Sequence, residues 1–384
     1  MNYVRKINIV FLCTIMTIFI SNFIPFRDFV SNEALLLLIS QAIIAGPSIV
    51  FLIIESRRQK KFSDGMVMNY HSIGYDYQEK KSIREQLCFH KVSLSNVFWL
   101  ILFTICITPA INFVNAISRM FSVAAINDTM FNITSKNSYL LALFCVAFVP
   151  CVMEEIVYRG LFYQGYRRVN PLGAAVLSAF LFGILHGNLN QFCYAFAMGI
   201  VFAFVIEATD SILSTMIIHF IMNGWSITLL YAIPRLFKYL NNMANDAIAR
   251  GDQELANSIT KLIGKDVDFE QVFQASGNAV LSDMNFIDIL RTYGLMALLG
   301  GVLAFLIYRK IAKNTGRYEY IKSLFSKNKE YRREEDHNIS DDEYKGEGKV
   351  KARALFTLPL LTAIAVCVFF LVINELALQG IISM

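Results

Sequence analysis

Charge is scarce in this chain. Asp, Glu, Lys and Arg supply 17% of its 384 residues, against about 25% in soluble domains. Hydrophobic residues supply 55%, and they gather in runs of about 20, the length that crosses a hydrocarbon core ~30 Å thick. An ordinary soluble fold is excluded. The seven cysteines form no CxxC pair and no zinc-finger spacing, which excludes a disulfide framework and a sequence-encoded structural zinc site. Cys13, Cys106, Cys145, Cys151, Cys193 and Cys367 lie in or beside apolar runs and read as small packing residues; only Cys88 falls in a polar loop. No internal repeat, Gly-rich phosphate loop or low-complexity tract is present. No A-x-A-like cleavage site follows the first apolar run, which therefore reads as a retained anchor.

What is present is a series of apolar runs. They predict an all-α, polytopic transmembrane bundle of 8–9 spans, near residues 7–25, 34–54, 97–117, 139–158, 173–185, 191–206, 212–231, 287–308 and 355–376. The fifth and sixth are short and flank 186–190, as a tilted or re-entrant pair would. The net charge of +5 reads as topology, not as a nucleic-acid partner. The loop 55–96 is basic, with Arg57, Arg58, Lys60, Lys61, Lys80, Lys81, Arg84 and Lys91. So is the loop 309–353, with Arg332, Arg333, Lys349 and Lys351. Arg159, Arg167 and Arg168 mark a further inside loop at 159–171. The positive-inside rule then puts the N-terminus in the cytoplasm of a multi-pass cell-membrane protein.

Four regions follow: N-terminal spans with a basic loop (1–138), a polar-studded core (139–231), an external helical insertion (232–286) and C-terminal spans with a charged loop (287–384). The insertion reads as amphipathic helices at 235–249 and 252–262, broken by Gly251 and capped by Asp252. The stretch 327–353 reads as a mobile cytoplasmic loop.

The core carries costly polar residues. Glu154 and Glu155 end the fourth span, where an acidic residue at mid-span costs roughly 2.5–3.5 kcal/mol and less toward the interface. A helix step of about 100° points them apart. Glu155 shares a face with Arg159, four residues on, and can pair with it, which leaves Glu154 free. Phe182 and His186 share a face of the fifth span; His219 and Asn223 share a face of the seventh. Each set has a structural reading: an interfacial charge cluster, a hydrogen-bonded membrane histidine, and polar glue between helices. Together they hold what peptide hydrolysis needs, a base for water and donors for an oxyanion, in a cavity walled by protein.

The ordered set Glu154-Glu155-x-x-x-Arg159, Phe182-x-x-x-His186 and His219-x-x-x-Asn223 resembles the CPBP family. That family includes the type II CAAX prenyl proteases and the bacteriocin-processing or immunity proteins called Abi. The resemblance covers Glu154–Asn223 and implies an intramembrane endopeptidase. It implies Glu154 as general base, His186 holding or activating the water, and His219 with Asn223 as the oxyanion hole. Glu155 and Arg159 would be a structural ion pair and Phe182 a packing residue beside His186. A metal-free, glutamate-dependent mechanism is expected. A zinc ion held by Glu154, Glu155, His186 and His219 is the alternative, although no HExxH is present.

The expected partners are the lipid bilayer and a peptide or lipidated protein substrate, either a CAAX-type prenylated protein or a leader or bacteriocin-like peptide. A non-catalytic immunity or interaction protein on the same scaffold is a second reading. A transporter is a third, disfavoured by the lack of inverted halves with paired broken spans.

Overall fold

The computed structural model describes residues 3–70, 82–122, 127–263, 285–325 and 355–382. Within them every regular element is helical. Among the described residues eight helices are long and apolar enough to cross a membrane, and a ninth apolar helix is shorter. In chain order the main elements are α1 (Tyr3–Ser21), α2 (Glu33–Tyr70), α3 (Leu94–Ser118), α4 (Tyr139–Arg167), α5 (Pro171–Ile184), α6 (Leu189–Thr209) and α7 (Ile212–Ala249). They continue with α8 (Gln253–Ile263), α9 (Phe286–Asn314), α10 (Tyr318–Phe325) and α11 (Leu358–Leu378).

Local chemistry sets the breaks around the core. Ser138, Asn170, Asn188 and Ser211 each cap the helix that follows by accepting a hydrogen bond from one of its first free N–H groups. Pro171 stands at the start of α5, where its missing N–H costs nothing. Four helices can thus follow one another through short connections, with the exposed helix ends satisfied by the chain itself.

Several expectations change. The sixth span is not short: α6 has 21 residues. Glu207 reads as an end to the apolar run, but it lies inside the helix because Arg167 and Arg317 neutralise it. Only α5, with 14 residues, is short, about 21 Å at 1.5 Å per residue. The predicted loop at 159–171 is mostly helix, since α4 runs to Arg167. Arg159 is buried and Arg167 is ion-paired, so neither is a free loop charge. The separate helix expected at 235–249 is the continuation of α7, which passes through Pro234 and reaches 38 residues. The turn after it is as expected. Gly251 takes φ +79°, and Asp252 accepts a hydrogen bond from the Leu255 N–H. Residues 326–354, with the expected mobile loop, lie outside the described residues, as do Lys80, Lys81 and 264–284.

α4 is the hub. It is enclosed by α2, α5, α6 and α7, and α1 meets its C-terminal end. Asn8 of α1 is fully buried and uses its whole carboxamide there. Tyr166 of α4 donates to its Oδ1 (2.6 Å), while its Nδ2 donates to the Leu355 carbonyl and to Thr357 Oγ1 (2.9 Å each). This binds α1, α4 and the start of α11 into one unit. On the other side, α5 and α6 approach until their backbones nearly touch. A Cβ on Gly199 would sit 2.7 Å from Cα of Ala179, the small-residue contact by which membrane helices pack closely.

Candidate active site

α4 is not a uniform α-helix. It widens to π-helical geometry at Phe144–Phe148 and again at Glu155–Tyr163, a local expansion often found at functional sites. Pro150 lies between the two and offers no N–H to the carbonyl four residues back, that of Val146. Asn223 of α7 donates its Nδ2 to that carbonyl at 3.3 Å. One N–H of Asn223 therefore docks α7 onto α4, and its second N–H is not used in this bond.

One turn further along α7, His219 meets both acids of α4. Its Nδ1 lies 2.9 Å from Oε1 of Glu155, and its Nε2 lies 3.8 Å from Oε2 of Glu154. A carboxylate only accepts, so Nδ1 carries the proton directed at Glu155. The same Glu155 oxygen stands 3.3 Å from Nη1 of Arg159. Glu155, Arg159 and His219 are all buried. The Arg159 guanidinium lies between two rings, 4.2 Å from the centre of Phe182 and 4.8 Å from that of Phe202, so ring faces replace much of its lost hydration. The same two rings flank His219, at 6.2 and 5.5 Å.

His186 closes the other side of Phe182, ring against ring at 5.0 Å and perpendicular. Its Nδ1 is 2.9 Å from the Phe182 carbonyl. A carbonyl cannot donate, so Nδ1 bears the hydrogen and Nε2 of the neutral ring is left as an acceptor. The chain reverses immediately afterwards at Gly187, whose φ of +68° suits glycine. Asn374 of α11 donates to the Gly187 carbonyl at 2.6 Å. Thus Glu154, Glu155, Arg159, Phe182 and His219 form one contiguous cluster, with His186 joined to it through Phe182. Asn223 is anchored one turn away.

Three contributors escape sequence reading. Gln41 of α2 donates its Nε2 to Oε1 of Glu154 at 2.9 Å; the only trace of it is a lone amide in an apolar run. Phe202 carries no signal beyond being aromatic. Glu207 anchors a second polar cluster near the C-terminal end of α4. Its carboxylate takes Arg167 Nε at 2.7 Å and Nη2 at 2.9 Å, together with the Tyr163 hydroxyl. Arg317 Nε donates to the Glu207 carbonyl at 2.6 Å.

The conditional zinc set does not gather around a point. Among the described residues no three His, Cys, Asp or Glu side chains are placed to hold one ion. Glu155 is committed to Arg159 and His219.

Residues 136–225 match the family model described as type II CAAX prenyl endopeptidase Rce1-like. Over 77 residues the chain is 31% identical to YdiL of Bacillus subtilis (strain 168), whose name describes a membrane peptidase in provisional terms. That stretch is 20% of this chain and 32% of YdiL, so the match spans about a third of the relative's length. No solved structure matches. The matched segment contains Glu154, His219 and Asn223 on the helices just described and His186 in the turn after α5, and over it the chain is similar to the type II CAAX prenyl endopeptidase Rce1-like family.

Proposed function

We propose that this protein is an intramembrane endopeptidase that hydrolyses a peptide bond with a glutamate-activated water. The observation that carries the reading is His219 placed between Glu154 and Glu155, its two ring nitrogens facing one acid each. Oε2 of Glu154 accepts a proton from water as the water oxygen adds to the scissile carbonyl carbon. The carbonyl π electrons move onto oxygen. The attacking oxygen and the oxyanion share one carbon, so a base and a donor 3.8 Å apart can serve both. With Nδ1–H held by Glu155, His219 donates from Nε2 as the doubly protonated ring, and the second N–H of Asn223 adds to the same hole. His186, with Nε2 open, orients the water. Collapse returns the proton from Glu154 to the departing amine as the C–N bond breaks.

The substrate is a peptide or lipidated protein at the membrane. A prenylated CAAX-type protein and a leader or bacteriocin-like peptide both fit. The N-terminus is assigned to the cytoplasm from the basic loop at 55–96. Mass spectrometry of newly formed termini tests the reading, comparing cells that carry the unmodified chain with cells that carry Glu154→Gln. Termini lost in the variant, at equal protein level in the membrane, support it. An identical set of termini overturns it.

A further inference from the structure

Gln41 is a costly residue where it stands. It lies within the apolar run of α2, 8% exposed, where a carboxamide must find partners inside the protein. Its Nε2 has one in Oε1 of Glu154 at 2.9 Å. Because a carboxylate cannot donate, this fixes the orientation of the amide. The other half of the amide is unmet: Gln41 Oε1 is buried and has no hydrogen-bond partner. Two turns along the same helix Ser48 is fully buried, and its hydroxyl is unpartnered as well. Residues seven apart share a face, and α2 packs on α4. The face of α2 turned to the acid pair therefore carries one used donor and two open polar positions.

We propose that Gln41 is a positioning residue for the Glu154 carboxylate and for its water, an assignment that rests on the endopeptidase reading above. By binding Oε1 it holds the carboxylate plane and leaves Oε2, on the His219 side, to receive the proton. Its open carbonyl accepts the second hydrogen of the same water, which stays on the nucleophilic oxygen as the other leaves for Glu154. This brings α2, outside the segment 136–225 matched to the family, into the reaction geometry.

The test uses the purified full chain in detergent and a proteome-derived peptide library, with cleavage rates followed by mass spectrometry from pH 5 to 9. Four proteins are compared: the unmodified chain, Glu154→Gln, Gln41→Met and Gln41→Glu. Gln41→Met keeps size and apolarity suited to the span and removes both polar functions. Its rate is expected to fall on the order of tenfold to a hundredfold, as when an orienting partner of a functional group is lost. Gln41→Glu is expected to be weak at neutral pH, where two carboxylates oppose each other. It should regain rate as pH is lowered and the pair holds one proton, which restores a donor to Glu154. A purely structural Gln41 would not displace the pH profile in this way.

A Gln41→Met rate within twofold of the unmodified chain, with Glu154→Gln inactive, overturns the Gln41 assignment alone. So does Gln41→Glu with an unshifted profile, should Gln41→Met fail to fold. Full cleavage by Glu154→Gln, or none by the unmodified chain, overturns the endopeptidase reading and the assignment with it.

Discussion

Nδ1 of His219 and Oε1 of Glu155 stand 2.9 Å apart, and the same oxygen receives Arg159 from the other side. Glu155 is therefore not a spare partner of the acid before it. It holds an imidazole on one helix and a guanidinium on its own, in a place with no solvent to share the load. This single carboxylate decides which way His219 points and so which nitrogen faces Glu154.

Removing that carboxylate leaves Arg159 charged and buried without its ion-pair partner. Glu155→Ala is expected to cost about 3–5 kcal/mol of stability, the usual penalty for breaking a buried pair by one member. Resistance to unfolding in an SDS titration measures it. Replacing both Glu155 and Arg159 by Leu should restore much of the loss without restoring cleavage. A single substitution costing under ~1 kcal/mol would mean that the pair is not sealed as described.

His219 offers a cleaner separation of fold from chemistry. In His219→Asn the amide N–H stands roughly where Nδ1 was and keeps Glu155 satisfied, but nothing replaces Nε2. Stability should stay within ~1 kcal/mol, while cleavage falls roughly 10²–10³-fold, the cost of one oxyanion donor. The two numbers come from the same SDS titration and a terminal-peptide count. Unchanged cleavage would remove His219 from the reaction.

The turn that carries His186 is braced from outside the matched segment by Asn374. Asn374→Ala leaves the Gly187 carbonyl without that donor, worth about 1 kcal/mol. Cleavage is expected to drop roughly fivefold at unchanged expression. Amide exchange should quicken at residues 185–188, and unaltered exchange there would show that α11 does not steady the turn.

Cys88 tests the packing on the far side of the core. It is 7% exposed, and burial, reinforced by the Asp210 carboxylate beside it, pushes its thiol up to about 12. The neutral thiol is the form favoured in the fold, so the reactive thiolate appears only as pH rises. At pH 8 about one thiol in ten thousand is ionised. Alkylation at pH 8 should be far slower than in the SDS-unfolded chain and should climb about tenfold per pH unit. Equal rates in the two states would place Cys88 in open solvent.

The spans were legible because run length is a direct consequence of bilayer thickness. The acid pair, Arg159 and the two membrane histidines were legible for the opposite reason: each is expensive in an apolar run. What was not legible depends on distance in sequence. Gln41 lies 113 residues from Glu154, and a neutral amide among leucines gives no hint of its partner. Glu207 resembled the end of a span because the arginines that neutralise it come from elsewhere. The two adjacent acids, pointing about 100° apart, looked destined for separate tasks. They meet at one residue because an imidazole has two nitrogens facing different ways.

The long helix α7 carries His219 near one end and is longer than a bilayer core is thick. Its 38 residues make about 57 Å at the usual rise, nearly twice the ~30 Å of the bilayer core. Pro234 interrupts the hydrogen-bond ladder between the inner and outer portions. The ladder is therefore weakest between the arm against which α8 folds back and the portion that carries the imidazole.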